Sequence, residues 1–163
     1  MGFFRLKTPV DMLEKAKRER SRMFTDLHVD HVFNFFVTAA HIADYVKHSG
    51  TVEQRYLDQF RQNPTYRLCR DLCDNGKHTI LTKEGRETPS AGAFENNIFR
   101  VPFGTWNFGP QKESWMVQVD GRWTSVLRIA DEMLALWTVF FEQHGIGAEP
   151  VAEQEENPCN DLR

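Results

Sequence analysis

The run Val32-Phe33-Asn34-Phe35-Phe36-Val37-Thr38-Ala39-Ala40-His41-Ile42-Ala43-Asp44 is apolar around most of a helical circumference. A helix of that kind is stable only where other elements cover it, so it must be central and have several packing partners. It reads from about Asp26 to His48, with Ser49-Gly50 as its stop. At about 100° per residue, Asp30, Asn34, His41, Asp44 and His48 fall within about 80° of one another, with Thr38 at the edge. An unpaired polar group in apolar surroundings costs on the order of 2 to 7 kcal/mol. The stripe therefore requires partners or a wet cleft.

The flanking sequence supplies the partners. Thr8-Pro9-Val10-Asp11 is a helix start, with Thr8 as cap, Pro9 in the first turn and Asp11 three places on. That helix runs to about Met23 with Val10, Leu13, Ala16 and Met23 inward and Lys15, Lys17, Arg18, Arg20 and Arg22 on its outer face. A third helix spans about Val52 to Gln62, and Asn63-Pro64 breaks it. A short fourth runs from about Thr65 to Asn75-Gly76. After His78 the pattern changes to strands: residues 79–82, 97–101 and 114–119, with Asp120-Gly121 as a turn. Glu84 to Gly92 reads as a loop. The last helix, about Ser125 to His144, turns Val126, Ile129, Ala130, Met133, Leu134, Trp137, Phe140 and Phe141 inward, and Gly145 ends it. The fold expected is α+β: a helical bundle, a small antiparallel β-sheet insert and a long C-terminal helix, in one domain over 1–147. Residues 148–163 form an acidic tail without large apolar patches, expected to be disordered.

Chain-wide properties exclude several function classes. With 20 basic and 23 acidic residues the net charge is -3, so no global field draws nucleic acid or membrane. No apolar run reaches the roughly 20 residues a membrane span needs. Three cysteines are too few for a disulfide framework, which fits a cytoplasmic location.

The fourth helix carries Arg67, Asp71, Asp74, Asn75 and His78 on one face, opposite Leu68 and Leu72. Two helices that both direct Asp, Asn and His inward make either a satisfied buried network or an active site, and periodicity does not choose between them. The expected cluster joins Asn34, His41, Asp44 and Arg67 with Arg70, Asp71, Asn75 and His78. A metal site built from His41, Asp44, Asp71 and His78 is a further option, although no Glu-x-x-His pair is present. The Cys69-x-x-x-Cys73 pair reads as packing. Phe103, Trp106, Phe108 and Trp115, in and beside the turn-rich stretch 102–110, are either a partner anchor or a lid on the bundle.

Two segments carry a resemblance: Phe33-x-Phe35-Phe36-x-Thr38-Ala39-x-His41-x-x-Asp44 and Arg67-x-x-x-Asp71-x-x-Asn75-x-Lys77-His78. Together they resemble a set of small bacterial proteins with a helical N-terminal half and a short β-rich insert, over about Met23 to Leu81. More distantly, the arrangement is similar to the HEPN superfamily, helical bundles that include metal-independent ribonucleases of toxin and defence systems. That resemblance implies an endoribonuclease without cofactor, acting on RNA as a homodimer. His78 would be the base or acid, Arg70 the phosphate clamp, and Asp71 and Asn75 would orient them. Seven residues separate Arg70 from His78, more than in the superfamily's Arg-to-His signature. The alternatives are a binding or scaffolding module without chemistry, and a metal-binding bundle.

Overall fold

The computed structural model describes residues 5–77, 115–119 and 121–147. Five helices and one hairpin follow in the order α1 (Pro9–Thr25), α2 (Val29–Ser49), α3 (Gln54–Arg61), α4 (Pro64–Lys77), β1 (Met116–Val119), β2 (Arg122–Ser125) and α5 (Val126–Gln143). The architecture is mainly helical α+β, as the periodicities require. Among the described residues, no helix is long and apolar enough to cross a membrane.

Each boundary has a local cause. The Thr8 hydroxyl accepts from the Asp11 N–H while the Asp11 carboxylate accepts from the Lys7 and Thr8 N–H groups, which closes a capping box. α2 starts later than the sequence suggests because His28 takes the capping position, its Nδ1 accepting from the Asp30 N–H. It ends at Gly50 in the left-handed region, φ 66°. α4 passes through Gly76, where a stop was expected. β1 and β2 pair antiparallel with Val119 opposite Arg122, and Gly121 takes a φ of 76° just before β2. The strand nature of β2 was not anticipated. Ser125 then caps α5 through the Leu127 N–H. The expected strands at 79–82 and 97–101, the loop at 84–92, the aromatic stretch 102–110 and the tail 148–163 lie outside the described residues.

The core forms where α2 is wrapped by α1, α4 and α5. Phe35, Phe36, Ala39, Ile42, Ala43 and Val46 are buried, which bears out the central role read for this helix. Trp137 of α5 stands at the centre, its indole N–H donating to the Ala39 carbonyl at 3.0 Å. Phe60, Tyr66, Phe140 and Phe141 surround it, at ring separations between 4.1 and 6.1 Å. Leu134, read as core, is only half-buried.

Candidate active site on the last turns of α4

α4 lies antiparallel to α2. The Tyr66 hydroxyl donates to the Ala40 carbonyl at 3.3 Å, and one turn on the Cys69 thiol reaches the Phe36 carbonyl at 3.8 Å. These contacts press Tyr66, Cys69 and Cys73 against α2 and leave Arg67 exposed. Burial, reinforced by Cys73 and Asp71 nearby, pushes the Cys69 thiol far up, so it stays protonated and is no nucleophile. The cysteine pair is packing, as its spacing suggests.

At about 100° per residue Arg70 falls between the Cys69 face and Arg67, and Asp71 falls between Arg67 and Leu68. Asp71 is buried and belongs to the few charged groups held inside the described protein. Arg70 is half-buried; its Nε is shielded from solvent and meets no hydrogen-bond acceptor among the described residues. Asn75 lies in the last turn of α4, and His78 follows the helix just outside the described residues.

The polar stripe of α2 departs from expectation. Asn34, Asp30, Asp44 and His48 are exposed, and His41 is half-buried. Asp44 pairs with Arg61 of α3 at 3.7 Å, not with a residue of α4. Arg61 also approaches Asp58 at 3.5 Å and hydrogen-bonds Tyr66, whose phenol is pushed up chiefly by burial. The His41 Nδ1–H donates to the Val37 carbonyl at 2.7 Å, which leaves Nε2 as the acceptor nitrogen. Most of the stripe is therefore exposed, with His41 half-buried at its middle. The reason is competition for contact: α1, α4 and α5 fill the other faces with apolar side chains, and the polar side is left to water. Thr38, read at the stripe's edge, is the exception and is buried against α1. Of the expected eight-residue cluster, Asn34, Asp44 and Arg67 are exposed, His41 and Arg70 are half-buried, and Asp71 is buried.

The basic residues of α1 are at the surface or half-buried, and most of them are ion-paired. Arg20 makes a bidentate pair with Asp131 of α5 at 2.7 and 2.8 Å. Lys17 pairs with Glu14 at 2.7 Å, and Arg22 pairs with Glu19 at 2.8 Å. Lys15 bonds the Thr38 hydroxyl and sits 3.5 Å from Glu19. Four of the five cations are paired with three carboxylates, Glu19 serving both Lys15 and Arg22, and among the described residues Arg18 is exposed without an ion pair. Sequence reasoning missed Glu19, which is 4% exposed. Its signal was its place in the series 12, 16, 19, 23, the spacing of the inward seam of α1.

Among the described residues, no group of three or more His, Cys, Asp or Glu side chains is placed to hold a metal ion. A scan of protein-family models, a search of curated proteins and a search of solved structures each found no match to this chain.

Proposed function

We propose that this chain is a HEPN-like bacterial protein that cleaves RNA in the cytoplasm without metal, in the manner of toxin and defence ribonucleases. The observation that supports this most is Arg70, a half-buried guanidinium whose Nε–H has no acceptor among the described residues. A buried donor without an acceptor is costly, and an arriving phosphate oxygen would satisfy it with a charge-assisted bond. Arg70 then stabilises the negative charge that builds on phosphorus, and buried Asp71 beside it orients the site. His78, next after α4, takes the proton from the attacking 2′-hydroxyl or gives one to the leaving oxygen. Asn75 holds the imidazole's orientation. The neutralised face of α1 leaves guidance of RNA to the few cations that remain exposed, Arg18 and Arg67 among them.

Labelled single-stranded RNA incubated with the purified chain tests this. Cleavage should persist in excess chelator and fall by about a hundredfold or more in His78→Ala and in Arg70→Ala, with melting temperatures near that of the wild type. Intact RNA with the wild-type chain would defeat the proposal. A non-catalytic binding role is the second reading. It is favoured by Phe24, Val29 and Phe33, large apolar side chains exposed together at the corner between α1 and α2.

A further inference from the structure

The chain reverses at the end of α5 and comes to rest on the start of α1. Gly145 takes a φ of 62°, and the Ile146 N–H then donates to the Phe141 carbonyl at 2.9 Å. Gly147 follows at a φ of 86° and lies so close to α1 that a methyl group there would meet Val10 Cγ2 at 2.8 Å. This return bounds a cleft of about 330 Å³ between α1 and α5, at the small end of the range for small-molecule sites. Its apolar walls are Val10, Leu13, Phe141 and Ile146.

The polar side chains of the cleft are of one kind. Thr138 donates its hydroxyl proton to the Leu134 carbonyl at 2.9 Å, so its oxygen offers lone pairs only. Glu142 is exposed, and no ion pair among the described residues includes it. None of the residues lining the cleft is basic. His144 is turned to Phe140 and Tyr56, with ring separations of 4.5 and 5.0 Å, and does not line it. Glu142 also stands against the usual preference: it lies in the last turn of α5, where the helix dipole is negative, and that turn contains no basic residue. Residues 148–163, which continue from Gly147, add five acids and one base, Arg163. An apolar cleft that offers only acceptors and negative charge is complementary to an apolar body ending in a cation.

We propose that the cleft between α1 and the end of α5 binds a small amphipathic amine, its hydrocarbon body against Leu13 and Phe141 and its ammonium on Glu142 and the Thr138 oxygen. The acidic C-terminal segment has the wrong charge to occupy the same place. The site shares no residue with α4, so it stands or falls apart from the ribonuclease reading.

Titration of the isotope-labelled full chain with n-hexylamine at neutral pH, followed by methyl NMR, tests it. Hexylamine should shift the methyl signals of Val10, Leu13 and Ile146 with a Kd in the millimolar range, in keeping with its about seven non-hydrogen atoms. Hexanol, with the same body and no charge, should bind roughly fivefold more weakly, and hexanoate should not bind measurably. Glu142→Gln should bring hexylamine down to the affinity of hexanol, with a circular dichroism melt close to that of the wild type. No shift with hexylamine would overturn the proposal, as would hexanoate binding as well as hexylamine, or an amine affinity unchanged in E142Q. Nuclear Overhauser contacts in the free protein from those methyl groups to Val151 or Leu162 would also overturn it, because the chain would then fill its own cleft.

Discussion

Glu19 concentrates the conflict between charge and packing in one side chain. One carboxylate oxygen is shared by Arg22 at 2.8 Å and Lys15 at 3.5 Å, and the other is buried without a partner among the described residues. Its cations differ from it: Lys15 and Arg22 keep part of their side chains in water, so neither is stranded if the carboxylate is removed. An asymmetry follows. Lys15→Met should destabilise by about 1 to 3 kcal/mol, because it strips a buried anion of a partner. Glu19→Met should cost less than about 1 kcal/mol or stabilise, because it replaces a desolvated charge by apolar volume. Urea denaturation of the two variants separates these outcomes, and a larger loss for Glu19→Met would refute the account. At this scale the sequence was partly legible. The seam positions of α1 were visible in their spacing, but a glutamate there reads as surface until its neighbours are known. Arg70 and Asp71 could be singled out from their place near a helix end, while the burial of Asp71 depends on packing that periodicity does not report.

Among the elements, α1 shows how a local motif couples to acidity. Hydrogen bonds from the Lys7 and Thr8 N–H groups hold the Asp11 carboxyl below its ordinary 3.8. A lowered folded value means that the cap's contribution is complete above 3.8 and is lost as pH falls through the lowered value. Asp11→Asn should therefore lower the melting temperature at neutral pH, and its melting curve should converge on that of the wild type in strong acid. A difference that persists unchanged at pH 2 would contradict the linkage. The boundaries most easily read were those with such chemistry: Thr8 and Asp11, Gly50, Ser125 and Gly145. The start of α2 was harder to place, because a ring nitrogen of His28 does a job usually given to Asp or Ser. β2 was hidden because Arg122-Trp123-Thr124-Ser125 is too short to alternate convincingly, and only its pairing with β1 defines it.

For the whole molecule, the decisive contact is the one between α2 and α5, nearly a hundred residues apart in sequence. Trp137 reaches the backbone of Ala39, and small residues at Ala39, Ala40 and Ala43 let the helices come close enough for that bond. The amount of apolar surface on α2 made its centrality legible. Which side of it faces water was not, since that depends on how much aromatic volume α4 and α5 bring to the other sides. The two sulfurs beside this contact carry a practical consequence. Cys69 and Cys73 are both sealed between α4 and α2, and the Cys69 thiol is held protonated as well as hidden. A thiol reagent can reach them only when α4 lifts away from α2, so modification runs at the pace of the protein's own opening. In a Cys159→Ser background, labelling slow in native buffer should accelerate in step with the stability lost in mild urea; prompt labelling of both sites in buffer would mean that α4 detaches without global unfolding. The chain thus contains a chemical clock for the breathing of its interior, wound by nothing more than the placement of two sulfur atoms one helical turn apart.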